Sequence, residues 1–119
     1  MKRLLLDQSA PRGLRSVLTG YEVHTANEMG WASISNGELL AAAEAGGFAI
    51  LLTSDQNIPF QNKLEGRRIA VISITTNHWD TIRQTPERVQ DACDGAGEGT
   101  YVTVQLPPSP KRRRPYPPR

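Results

Sequence analysis

The sequence contains one cysteine, Cys93, which rules out an internal disulfide and a cysteine-rich metal centre. It has no apolar run near the roughly 20 residues needed to cross a bilayer. Its opening, MKRLLLD, reaches an acid after only three leucines, too short for the core of an export signal. The expectation is a cytoplasmic protein with no membrane partner. No glycine-rich phosphate cradle occurs: GAGEG, at 95 to 99, follows a helical pattern instead of opening one. The two histidines, His24 and His78, share no metal-ligand spacing and read as structural or surface groups. The two tryptophans, in EMGWAS and NHWD, read as packing anchors, and Cys93 has no basic neighbour in sequence that would activate it.

What remains is one domain of ordinary size with a soluble composition, 119 residues of which 38% are apolar and 22% charged. The formal charge of +2 is unevenly spread. The segment KRRRPYPPR, at 111 to 119, holds five of the fourteen basic residues and no acid, and without those five the charge becomes −3. Residues 106 to 119 therefore read as a basic, proline-rich, extended tail. Any nucleic-acid affinity arising from net charge would come from this tail, where Arg112, Arg113 and Arg114 could add sequence-independent attraction to phosphates.

Residues 1 to 105 alternate strand and helix signals. LLL at 4 to 6 is a brief apolar run typical of a strand buried on both faces. Pro11 followed by Leu14, Val17 and Leu18 gives a helix face that ends at Gly20. YEVHTA is a second strand; Ser35 or Asn36 caps the helix GELLAAAEAG, which Gly46 and Gly47 stop. FAILLTS is a third strand, IPFQNKLEG a short crossover and RRIAVISIT a fourth strand. A helix broken near Pro86 precedes a fifth strand in TYVTVQL. This order predicts an α/β class, a Rossmann-like three-layer α/β/α sandwich around a mainly parallel five-stranded sheet.

Ligands of such sheets bind beyond the carboxyl ends of the strands. Asp7 follows strand one, Asp55 follows strand three, and Glu38 lies in the first turn of the helix leading to strand three. Three acids gathered at one rim need a cation to stay ionised together. An oxygen-only set suits Mg²⁺ or Mn²⁺, with Gln8, Asn57 and Asn77 as neutral oxygen donors able to orient metal-bound water. Each acid also has a local role open to it. Asp7 before SAP can cap a helix, Asp55 in TSDQN can form an Asx-turn, and Glu38 suits a helix dipole.

On LLLD, EMGWASISNGELLAAAE, LLTSDQNIPFQNKL and RRIAVISITTN, the chain resembles the PIN-like family of small bacterial proteins, related to the PIN-domain ribonucleases. The resemblance covers residues 1 to about 105. It implies Asp7, Glu38 and Asp55 as catalytic metal-binding acids and metal-dependent cleavage of RNA. It also implies the toxin role in a toxin–antitoxin pair, with a small antitoxin as partner; a homodimer is left open. Two departures stand out. Many relatives have an acid where this chain has Gln8, and others have an aspartate where it has Asn57. No fourth acid is obvious, since Asp80 opens a helix. The rival expectation is therefore a non-catalytic PIN-like module that binds a protein or RNA.

Overall fold

The computed structural model describes residues 2–54 and 66–106. Nine elements follow in order: β1 (Lys2–Leu6), α1 (Leu14–Val17), β2 (Tyr21–Thr25), α2 (Asn36–Ala45), β3 (Phe48–Thr53), β4 (Ala70–Ile74), α3 (Trp79–Gln84), α4 (Pro86–Gly95) and β5 (Tyr101–Val104). The crossover between β3 and β4 and residues 107–119 of the basic tail lie outside the described residues, whereas Leu106 is buried in the core.

The five strands form one all-parallel sheet in the order β2-β1-β3-β4-β5. This is the expected α/β sandwich with helices on both faces. The physical basis is the two-residue period of a strand, which sends neighbours in an unbroken apolar run to opposite faces. Leu4, Leu6, Ile50, Leu52, Ile72 and Ile74 enter one core, against Leu14 and Leu18 of the α1 segment, Ile82 of α3 and Val89 and Cys93 of α4. Leu5, Leu51 and Val71 enter the other, against Leu39, Leu40 and Ala43 of α2. A strand that must fill both cores has no place for a polar residue, so LLL and AILL read as continuous runs.

The helix boundaries follow local chemistry. Ser35 accepts the Glu38 amide at 3.2 Å while the Glu38 side chain accepts the Ser35 amide at 3.0 Å, a reciprocal capping box. Pro86 interrupts the last helical stretch and opens α4 at its first turn, where a missing N–H costs nothing. Gly47, at φ +83°, turns the chain from α2 into β3 in a conformation that a side chain resists.

The strand order reverses between β1 and β3: β1 leads outward to β2, whereas β3 leads away to β4 and β5. A crevice opens at such a reversal, beyond the carboxyl ends of the two strands. Asp7 is the first residue past β1 at that point.

Candidate functional site

Backbone register builds the site. Leu6 lies opposite Leu52 in β3 and Thr25 in β2. The Asp7 amide donates to Leu52 O at 3.1 Å, and the Ala26 amide donates to Leu6 O at 2.8 Å, so both flanking strands pin the end of β1. One residue further along each chain, Asp7 meets Thr53.

The Asp7 carboxylate is only 8% exposed, so its charge must be met by hydrogen bonds. Its Oδ1 accepts the Ser9 hydroxyl at 2.7 Å, the Ser9 amide at 3.0 Å and the Ala10 amide at 3.2 Å. Its Oδ2 accepts the hydroxyl of Thr53, which is fully buried. Ser9 then ties the two loops together. Its Oγ accepts the Ser54 amide at 3.0 Å and lies 3.2 Å from Thr53 Oγ1, while Ser54 Oγ donates to Ser9 O at 2.7 Å. Asp7 thus takes the turn-forming role that SAP after it suggests, and it does so on the floor of the crevice.

Two clefts flank Asp7, sharing Gln8 and Ala26 as well. One, of about 240 Å³, is also lined by Ala10, Arg12, Thr25 and Asn27. The other, of about 220 Å³, is walled by Ser9, Trp31, Ala32, Ile34 and Leu39. Behind the first, Glu28 accepts the Thr25 amide at 2.9 Å and pairs with Arg15. These bonds, the backbone one foremost, hold the Glu28 carboxyl below its usual range.

The other expected residues fall into three groups. Gln8 lines both clefts. Glu38 stands at the start of α2, beside Leu39 of the second cleft, but its carboxylate is exposed, closes the capping box and is not among the residues lining either cleft. Asn77 is exposed three residues past β4 and lines neither cleft; Asp80 pairs with Arg83 at 3.0 Å. Asp55, Asn57, Arg112, Arg113 and Arg114 lie outside the described residues. Among the described residues, no three of His, Cys, Asp or Glu gather closely enough to hold a metal ion. His24 contacts Glu22 and the Phe48 ring edge, and His78 contacts Thr81, so both histidines have local structural partners.

The donor set at the crevice consists of oxygens and amides, which suits a hard cation and not a soft one. Oδ1 of Asp7 is saturated by three donors, whereas Oδ2 accepts one bond and retains a lone-pair site. Mg²⁺ keeps several waters and is commonly held by one or two carboxylates together with substrate phosphates. One buried carboxylate with a free lone-pair site on Oδ2 is consistent with that demand.

Ser9, Thr53, Ser54 and Arg12 were not marked by the sequence as site residues. Thr53 carried a usable signal: a hydroxyl closing an otherwise apolar strand, immediately before an acid loop, requires a buried acceptor. No family model, no curated protein and no solved structure matches the chain.

Proposed function

We propose that the protein is a PIN-like, divalent-metal-dependent ribonuclease whose centre is the crevice between the ends of β1 and β3. The observation that carries this reading is the buried Asp7 carboxylate at the strand-order reversal, hydrogen-bonded to Thr53 and flanked by open clefts. The chain continues from Ser54, itself bonded to Ser9, into Asp55, the second acid of the proposed centre.

Asp7 and Asp55 would hold Mg²⁺ or Mn²⁺, with Gln8 and Asn57 orienting its water. Glu38 is left as a cap with a supporting electrostatic role at the same rim. When bound, the cation supplies charge neutralisation at a phosphodiester and a more acidic water. The residues themselves contribute position: Ser9 and Thr53 fix the carboxylate so that the open lone-pair site on Oδ2 does not rotate away. Arg112, Arg113 and Arg114 add salt-dependent attraction to RNA. The toxin role and its antitoxin partner rest on the family resemblance alone.

Assaying RNA cleavage with Mg²⁺ tests the reading. Wild type is expected to cut and to stop in chelator, and Asp55→Asn to lose at least about tenfold, equivalent to one Mg²⁺ ligand worth about 1.4 kcal/mol. Equal activity of the two proteins rules the mechanism out.

A second reading, a PIN-like module that binds without cutting, is favoured by one feature: the Glu38 carboxylate is spent on the Ser35 amide. Calorimetry separates the two. Saturable Mn²⁺ uptake that Asp55→Asn abolishes supports the nuclease, and its absence in wild type supports the binding module.

A further inference from the structure

Six of the seven described arginines lie outside the clefts, and five of those are committed. Arg15 pairs with Glu28, Arg67 with Glu44 and Arg83 with Asp80; Arg88 donates to Gln105 O, and Arg3 donates to Gly46 O. Arg68 is exposed on the opposite rim, next to Glu44, which accepts its amide. Arg12 differs from all of these. It lines the 240 Å³ cleft beside Asp7, and among the described residues its guanidinium has no hydrogen-bond or ion-pair partner. Its neighbour Arg15, on the same segment, has its own acid.

An uncommitted guanidinium presents a planar fork of donors suited to the oxygens of a phosphate. Asn27 and Gln8, in the same cleft, add neutral amide donors. The second cleft, which also includes Asp7, offers a different chemistry: Trp31, Ile34 and Leu39 make an apolar wall, with Asp7, Gln8 and Ser9 as its polar groups. That combination suits the face and edge of a base. Each cleft is smaller than the roughly 300–1,000 Å³ pockets that take whole drug-sized ligands, so each is matched to a fragment.

We propose that the two clefts are paired subsites for one nucleotide, with Arg12 holding its phosphate and the Trp31–Ile34–Leu39 wall holding its base. The inference rests on the reading of the crevice as an RNA site and names where one nucleotide of that RNA sits. Asp7 lines both subsites, so the ribose that joins the phosphate to the base would pass beside it.

The test is equilibrium binding to the full chain in chelator, at fixed ionic strength, of adenosine 5′-monophosphate and of adenosine. The tail attracts the nucleotide and not the nucleoside, but equally in every variant, so its contribution cancels between wild type and Arg12→Gln. Wild type is expected to bind the nucleotide at least about fivefold tighter than the nucleoside, and Arg12→Gln to weaken nucleotide binding by about that factor while leaving adenosine binding unchanged. Arg12 is exposed and unpartnered, so this variant folds; a thermal melt checks it. Trp31→Leu is expected to weaken both ligands. The proposal is overturned by equal wild-type affinity for the two ligands, by no saturable nucleotide binding, or by an Arg12→Gln protein that binds the nucleotide as tightly as wild type. Failure of the proposal is distinct from failure of the nuclease reading. Asp55-dependent RNA cleavage with no Arg12-dependent nucleotide binding removes only the subsites, whereas Arg12-dependent binding without cleavage removes only the nuclease.

Discussion

The two rims of the sheet use their polar residues differently. At the amino rim, Arg3 donates to Gly46 O, lies 3.7 Å from Glu22 and stacks over the Phe48 ring at 4.3 Å. Glu44 binds Arg67 and accepts the Arg68 amide, and these contacts, the backbone bond first, keep its carboxyl below the usual range. Most charge there meets charge, although Arg3 Nε is buried without a hydrogen-bond partner and, among the described residues, the exposed Arg68 guanidinium has none. At the carboxyl rim, one acid is buried among hydroxyls and amides, one arginine is left over, and two clefts open beside them. The first arrangement holds the molecule shut. The second keeps a buried charge fixed next to open space.

The contrast breaks most visibly at Asp7. Replacing it with Ala leaves four donors without their acceptor, three of them on Oδ1 and Thr53 on Oδ2, and should destabilise the fold by about 3 kcal/mol in urea titration. A change under about 1 kcal/mol would mean that the network is solvent-supported and that the burial argument is wrong. For the same reason, loss of activity in an Asp7 variant says little about chemistry, and Asp55→Asn is the better probe.

Thr53→Val removes one donor while keeping shape, and is expected to cost about 1–2 kcal/mol. The corresponding change on the other rim, Arg3→Met, should cost about 1 kcal/mol, because its contacts are partly exposed and the stem can still pack on Phe48. A larger loss at Arg3 than at Thr53 would reverse the comparison.

At the start of α2, the pair Ser35→Ala and Glu38→Gln separates capping from metal binding. Ser35→Ala should cost about 1 kcal/mol. Glu38→Gln keeps a side-chain acceptor for the Ser35 amide and should change stability by less than about 0.5 kcal/mol. A Glu38→Gln protein of unchanged stability but weakened Mn²⁺ uptake would restore Glu38 to the metal-binding set.

The smallest effect near neutral pH lies on the helical face. Burial first, and Asp94 second, push the Cys93 thiol from its ordinary 9.0 up to about 12. The unfolded chain therefore releases this proton before the folded one does. Stability from this group is complete below pH 9 and declines as pH rises toward 12, by at most about 1.4 kcal/mol per pH unit. Cys93→Ala should flatten that slope in melts between these pH values; an unchanged slope would assign the effect to other groups.

The fold was legible wherever a segment states its own environment. LLL and FAILLTS announce strands facing two cores, Ser35 with Glu38 announces a cap, and Pro86 announces the break between α3 and α4. Boundaries shifted where side chains had other partners. RRIAVISIT begins its strand only at Ala70, because Arg67 and the Arg68 amide are drawn to Glu44. At the site, Asp7 was legible because an acid directly after a buried run must be accommodated somewhere. Its partners were not. Thr53 lies 46 residues away, and only the register of β1 against β3 brings the two together. The freedom of Arg12 was equally hidden, since it follows from Glu28 choosing Arg15.

The most direct measurement is Mn²⁺-induced broadening of backbone amide resonances in the full chain, comparing wild type with Asp55→Asn. The account predicts that the Ser9 and Ala10 amides, both bonded to Asp7, broaden first in wild type and stay sharp in the variant. Broadening confined to other acids, or equal at Ser9 and Ala10 in the two proteins, would contradict a cation centre at the end of β1.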